Sequence, residues 1–393
     1  MDFQLTDEQR ELKETARKFA RAELPELARE IEEKDIAVPA DMLRTYGEMG
    51  FLGVNLPEEY GGLGLGHLEA LIVLEEFAQI SNAVAFPVFE ALTGPVRTID
   101  RFGSDAMKAK VLPEVIRGEK IVAVSMSEPD AGTALTDLKT SAKASGNGYV
   151  VNGYKRWTSG GGHSDYYVTY CRFSDDAPPV SGAKGIGAIL LEKDMEGLSF
   201  GKREELMGFR GIPTADIRIE DVQVGEENVI IGAGGFGKLM SAFGLERCGN
   251  ATQSLGVAAA ALEQALQYTQ EREAFGKPIV DFQAVQMKLA EMAMKVDAAR
   301  LLIHRAAVNS SANEGGLPSV YESSVAKCFA NEIVREVAAL GMQVMGGYGY
   351  HKEYGMEQRL RDAYAWGIAG GAIDVQKTNI TASMIGRRFN QRN

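Results

Sequence analysis

The spacing of apolar and polar positions changes character twice along the chain. Over residues 1–120, apolar residues recur every three or four positions, as in LKETARKFARAEL and LEALIVLEEFAQI. That spacing predicts amphipathic helices, and the glycines between Gly61 and Gly66 predict a break between two of them. Residues 121–232 shift to short alternating or β-branched runs: Tyr149-Val-Val, Asp165-Tyr-Tyr-Val-Thr-Tyr, Ile186-Gly-Ala-Ile-Leu-Leu, Ala215-Asp-Ile-Arg-Ile and Val222-Gln-Val. Turn residues separate them, including Gly146-Asn-Gly and Ala177-Pro-Pro, so a small antiparallel β domain is expected. From 233 to 393 the pattern returns to long helices rich in Ala, Leu, Met and Gln. Helix, strand and helix in separate blocks predict an α+β fold, not an alternating βαβ sheet. The expected organisation is an N-terminal all-α domain (1–120), a middle β domain (121–232) and a C-terminal α-helical bundle domain (233–393).

Composition narrows the functional classes. A chain of 393 residues has room for two or three domains. No run of about 18 uncharged apolar residues occurs, so no membrane-spanning helix is expected. The N-terminus is charged from residue 2 and has neither an apolar signal core nor an Arg-rich, acid-poor transit character, which predicts a cytoplasmic protein. Cys171, Cys248 and Cys328 are scattered and odd in number, and the four histidines form no HxxxH or HxH pattern, so neither a disulfide framework nor a metal site is expected. With 54 acidic against 42 basic residues the net charge is −12, which argues against nucleic acid as a partner.

Gly232-Ala-Gly-Gly-Phe-Gly237 fits the GxGxxG dinucleotide fingerprint and follows the strand-like Asn228-Val-Ile-Ile. The fingerprint needs a second strand with an acidic residue about 20 positions on. An Ala-rich helical stretch from Ala251 to about Glu271 stands there instead. The glycines are therefore read as a turn from the β domain into the C-terminal helices.

Four other motifs occur in fixed order. Ser127-Glu-Pro-Asp-Ala-Gly-Thr133, preceded by Met126, is similar to TEPxAGSD. Lys155-Arg-Trp157-Thr-Ser159 is similar to KxWIT(N/S). Arg272-Glu-Ala-Phe275-Gly276, with Phe282-Gln283 beyond, is similar to RxxFG…FQ. Gln343-Val-Met-Gly346-Gly347-Tyr-Gly-Tyr350, followed by Arg361-Asp-Ala363, is similar to QxxGGxGY…RDA. Together they resemble the acyl-CoA dehydrogenases over most of the chain. Each residue taken singly has an ordinary structural explanation: Trp157 as core, Arg272 as a solvated helix face, the glycines as turns. Their order carries the resemblance.

The resemblance implies the acyl-CoA dehydrogenase fold with a C-terminal four-helix bundle, FAD as cofactor, an acyl-CoA thioester as substrate and an electron-transfer flavoprotein as electron acceptor. It implies that Met126 and Ser127 reach the pyrimidine edge of the flavin, that Trp157 covers one face and that Ser159 bonds near N5. Arg272, Phe275, Gln283, Gln343, Gly346 and Gly347 would hold the pyrophosphate and adenosine across a subunit interface. A homotetramer built as a dimer of dimers is therefore expected.

The reaction needs a base for the α-proton. Most family members carry a glutamate in a YEGT-like segment after RDA, but here the run is Ala369-Gly370-Gly371-Ala372. Gly370 stands where the glutamate would be. A minority, resembling the isovaleryl-CoA and long-chain types, place the base in an (L/F)ER segment ten residues before a helix glycine. Leu245-Glu246-Arg247 with Gly256 fits that pattern. Glu246 is thus the expected base, and the Gly370 backbone N–H the expected donor to the thioester oxygen. Thr133, Arg247, Ala369 and Glu90 are expected to contact substrate, with Arg97 near the pocket floor. The small residues at 369–370 predict a branched or ring-bearing acyl group. Ala134, Ala372, Asp374 and Gln358 depart from the family pattern. Two alternatives share the fold: a flavin oxidase resembling nitroalkane oxidase, and a catalytically inactive FAD-binding subunit.

Overall fold

The computed structural model describes residues 3–174, 181–387 and 389. The first helix, α1 (Asp7–Lys34), starts where Thr6 and Gln9 close a reciprocal capping box. It buries Ala16, Ala20, Leu24, Ala28 and Ile31 along one stripe. The helices α2 (Ala40–Glu48), α3 (His67–Ala78), α4 (Asn82–Leu92), α5 (Pro95–Phe102) and α6 (Asp105–Ile116) complete the N-terminal part. The glycine-rich break between Gly61 and Gly66 falls between α2 and α3, as expected. Buried Glu76 on α3 receives a two-pronged bond from Arg17 of α1, at 3.0 and 3.2 Å.

Eight strands follow: β1 (Val122–Ser125), β2 (Ser141–Ser145), β3 (Gly148–Ser159), β4 (Tyr166–Ser174), β5 (Ile186–Glu192), β6 (Leu198–Phe200), β7 (Thr214–Gly225) and β8 (Val229–Ile231). They form one sheet in the order β6-β7-β3-β2-β4-β5-β8, with β1 paired to β4. The sheet is mixed, not wholly antiparallel as the sequence suggested. Both β1 and β2 run parallel to β4, pairing with Tyr166–Thr169 and Arg172–Ser174 respectively. Hairpin spacing predicts antiparallel neighbours and misses strands that reach the same partner through long connections. The predicted Ala177-Pro-Pro turn lies outside the described residues.

Both faces of β4 are buried, which explains its nearly unbroken apolar run. Tyr166, Val168 and Tyr170 join the large core shared with the helices, whereas Tyr167, Cys171 and Phe173 join a second core on the far face. The Tyr170 ring meets Phe243 edge-on, 6.5 Å between centroids. That contact sets the sheet against the next helix.

After the glycine turn, α7 runs unbroken from Phe236 to Glu271. It begins 15 residues before the Ala-rich stretch at Ala251 that first suggested it. A short hairpin, β9 (Glu273–Ala274) with β10 (Lys277–Pro278), leads to α8 (Gln283–Asn309) and α9 (Val320–Met345). Two short helices, α10 (Gly347–Tyr350) and α11 (Met356–Asp362), precede α12 (Ile373–Ile385). The helices α7, α8, α9 and α12 pack together around α9. Among the described residues, no helix is long and apolar enough to cross a membrane.

Candidate active site

Leu245-Glu246-Arg247 occupies the buried first half of α7, between the sheet, α4 and α9. Glu246 is only 7% exposed, and its carboxylate makes no hydrogen bond or ion pair among the described residues. Burial pushes the carboxyl up to about 7, against the opposing pull of Lys327 and Arg247. A carboxyl in this state is half ionised near neutrality, as a general base should be. Two more polar groups lie close enough to feel its charge. Glu90 on α4 is buried and pushed well above the usual carboxylate range, by burial first and then by Glu246. The Tyr170 hydroxyl, also raised by burial and by Glu246, has no partner among the described residues. Arg247 is buried too, with Nε and Nη1 unpaired among the described residues. Unpaired polar atoms inside a protein are rare, and a catalytic or binding role is one physical reason for them.

The turn after α11 brings Gly370 to this helix. Gly370 has φ +60°, and a Cβ added there would stand 2.5 Å from Asn250 Oδ1. Asn250 lies one helical turn beyond Glu246 and donates to its carbonyl at 2.7 Å. Two segments 120 residues apart are thereby joined. The space beside Gly370 is nonetheless taken by Asn250, not left open, while Ala369 is exposed. Trp366 is buried and packs on Phe86, Phe89 and Phe209, so packing is its role. Arg97 turns away from Glu90, pairing with Asp100 at 3.1 Å and donating to the Asn55 carbonyl at 2.7 Å.

A second cluster joins the first two motifs. Fully buried Lys155 donates to Glu128 Oε1 at 2.9 Å and to the Met126 carbonyl at 3.1 Å. Glu128 also accepts from Thr140 and from the backbone N–H of Lys139. Burial alone would raise the Glu128 carboxyl; Lys155 and these donors hold it below its ordinary value. Next to Lys155, β3 bulges against β7 and Trp157 takes φ +60°. Such a conformation is costly for a bulky residue and persists only where its surroundings enforce it. Arg156 stacks over the indole at 4.2 Å and is anchored to Asp216 at 2.6 Å. The indole stays 53% exposed. Met126, Ser127 and Ser159 are half-buried around it, and Thr133 is exposed.

The remaining cofactor candidates gather at the far end of the helical bundle. Arg272 caps the end of α7 and lies 5.8 Å from the Tyr348 ring, which places it beside the end of α9. Gln343, Gly346, Gly347 and Gln283 are all exposed. Gly346 has φ +60° with open space where a Cβ would point. Phe275, also at positive φ, is 96% exposed. A cation, two amide side chains, open glycine backbone and unburied aromatic rings suit a diphosphate and a nucleoside base. The residues present therefore fit a flavin dinucleotide.

Sequence reasoning missed three residues here: Lys327, Asn250 and Tyr170. The signal for Lys327 was available. Ser324, Lys327 and Asn331 place polar side chains at the spacing of the buried stripe of α9. The Glu128–Lys155 pair was present only as letters in two motifs, without its contact.

The fold, with surfaces that fit a flavin dinucleotide, is that of a flavin-dependent oxidoreductase. Three family models, the acyl-CoA dehydrogenase N-terminal, middle and C-terminal domains, match residues 6–119, 123–222 and 233–385. The chain belongs to the acyl-CoA dehydrogenase family, oxidoreductases of CH–CH groups, and its cofactor is FAD. It is 37% identical to the NADH-dependent acryloyl-CoA reductase of Anaerotignum propionicum, over 98% of this chain and 97% of the relative. It superimposes on butyryl-CoA dehydrogenase from Megasphaera elsdenii with a TM-score of 0.92, at 32% identity, covering 98% of this chain and all of the other. A structure from work on the electron transferring flavoprotein of Acidaminococcus fermentans and flavin-based electron bifurcation also superimposes at 0.92, with 35% identity over 98% of this chain and all of that one.

Proposed function

We propose that this protein removes hydrogen across the Cα–Cβ bond of an acyl-CoA thioester, with Glu246 as the base that takes the α-proton. The observation that carries this reading is the buried carboxyl of Glu246, without a partner among the described residues and poised near neutrality, one helical turn from the Asn250 that packs against Gly370. FAD, when bound, supplies the hydride acceptor. Glu246 accepts the α-proton at a carboxylate oxygen kept from water, where its basicity is high. The Gly370 backbone N–H donates to the thioester oxygen and makes that proton more acidic. Thr133 contacts the thioester's carrier arm, and Arg247, Ala369 and Glu90 border the acyl group. Trp157, with Met126, Ser127 and Ser159, holds the isoalloxazine end of the cofactor. Arg272, Phe275, Gln283, Gln343, Gly346 and Gly347 hold its pyrophosphate and adenosine from a second copy, within a dimer of dimers. An electron-transfer flavoprotein accepts the electrons; the likeness to a structure from work on such a flavoprotein supports this. The acyl group is branched or carries a ring, accommodated over Ala369.

The test is flavin bleaching under anaerobic conditions with a panel of straight, branched and aryl acyl-CoAs. Bleaching by the wild type that Glu246→Gln abolishes supports the reading. Equal bleaching by both proteins overturns the base assignment, and no bleaching by any acyl-CoA supports an inactive FAD-binding subunit instead.

A further inference from the structure

Lys327 is fully buried in the middle of α9, and no carboxylate lies within ion-pair distance of it among the described residues. Its ammonium donates to Asn250 Oδ1 at 2.8 Å, to the Trp366 carbonyl at 2.9 Å and to the Ala369 carbonyl at 2.8 Å. An ammonium carries three N–H donors, so all three are used, whereas a neutral amine would leave one acceptor unfilled. Burial lowers Lys327 to about 7, and these acceptors and Glu246 favour the charged form against it. Asn250 in turn donates to the Glu246 carbonyl and fills the space against Gly370. One side chain therefore ties three segments together: the helical turn that carries Glu246, the 366–370 turn, and α9.

We propose that Lys327 is a positioning residue for the dehydrogenation: it pins the 366–370 turn to the Glu246 segment, so that the Gly370 N–H and the Glu246 carboxylate keep one spacing across the substrate. This rests on the roles given above to Glu246 and Gly370. A buried hydrophobic side chain of similar length would fill the same volume, but it could not hold two carbonyls and an amide oxygen at once. The two carbonyls, of Trp366 and Ala369, lead into Gly370, whose positive φ no helix or strand supports. Without the ammonium, that turn has lost its hold on α7.

The same cation bears on the base. Lys327 and Arg247 favour ionised Glu246, and Glu246 in turn opposes ionisation of Glu90 on α4 and of Tyr170 on β4. Removing Lys327 leaves Arg247 as the only cation acting on Glu246 among the described residues. The base then ionises at higher pH.

The experiment compares FAD-loaded wild type, Lys327→Met, Lys327→Arg, Asn250→Ala and Glu246→Gln, using an acyl-CoA that bleaches the wild-type flavin. For Lys327→Met the expected result is a fall in kcat of about 10- to 100-fold at unchanged FAD content. The acid limb of its pH–rate profile should move up by about one unit. Lys327→Arg should restore the limb but not the rate, because a planar guanidinium does not reproduce the three-way geometry. A readout without turnover is the pH dependence of the thermal midpoint, whose Glu246-linked step should move with the limb. Lys327→Met with wild-type kcat and profile, while Glu246→Gln is inactive, overturns the proposal and leaves the base assignment standing. Glu246→Gln with wild-type bleaching overturns the base assignment itself and the proposal with it. If Lys327→Met does not fold, Asn250→Ala decides: a lowered kcat supports the positioning role, and wild-type kcat overturns it.

Discussion

Asn250 and Gly370 exclude each other's growth: a Cβ at position 370 would stand 2.5 Å from Asn250 Oδ1. The positive φ of Gly370 adds a conformational cost of about 1–2 kcal/mol for any other residue. Gly370→Ala should therefore lower the thermal midpoint. In a double-mutant cycle with Asn250→Ala, the two losses should sum to more than the loss in the double variant. Additive losses would show that the two positions do not press on each other.

Glu246 ties rate and stability to pH in opposite directions. Its carboxyl is raised from 4.5 to about 7, so kcat/KM should climb with pH through about 7 as the base ionises. The folded state favours the protonated form. That contribution to stability is complete below the unfolded value near 4.5 and is lost as pH rises through about 7. A shift of this size corresponds to about 3–4 kcal/mol. Glu246→Gln should lower kcat by about a thousandfold, roughly 4 kcal/mol of transition-state stabilisation. It should also gain thermal stability over wild type between pH 5 and pH 9, read by calorimetry.

The Glu128–Lys155 pair should behave as structure, not chemistry. Removing one partner of a buried pair costs about 3–5 kcal/mol because the other charge is stranded. Glu128→Ala should lose most of its folded yield or its FAD, whereas its pH–rate limb near 7 should stay where Glu246 sets it. A displaced limb in folded protein would tie this pair to the base.

Arg272 should matter to cofactor and not to turnover of loaded enzyme. A hydrogen-bonded cation on a diphosphate contributes about 1.5–3 kcal/mol, so Arg272→Met should weaken FAD binding by about 10- to 150-fold in equilibrium dialysis. Unchanged affinity would remove Arg272 from the pyrophosphate site.

The blocks of helix and strand were legible because their periods differ, and the family was legible because its motifs keep their order. The parallel pairing of β1 and β2 with β4 was not, since register between distant strands leaves no local pattern. Glu246 could be found by its Leu-Glu-Arg setting, but its isolation from any partner is a property of what α4, β4 and α9 place around it. The room beside Gly370 turns on one residue. Asn250 occupies the room, and nothing in the sequence couples positions 250 and 370. Lys327 announced itself only as a charge on an otherwise buried stripe.

The unbroken length of α7 has a consequence for how many chains make one site. From Glu246 to Arg272 the helix advances 26 residues, about 39 Å at the standard rise. A ribityl chain and a diphosphate together span about 12 Å at ordinary bond lengths. One flavin cannot reach both ends of this rod, so with Glu246 as the proposed base and Arg272 on the proposed pyrophosphate site, the two residues of a single chain would serve different cofactors. Two defective proteins, Glu246→Gln and Arg272→Met, should then cure each other when refolded as a mixture. The hybrid regains one site in which both residues are wild type, and the other site inherits both defects. Activity of the mixture no greater than the mean of its parents would mean that each chain works alone.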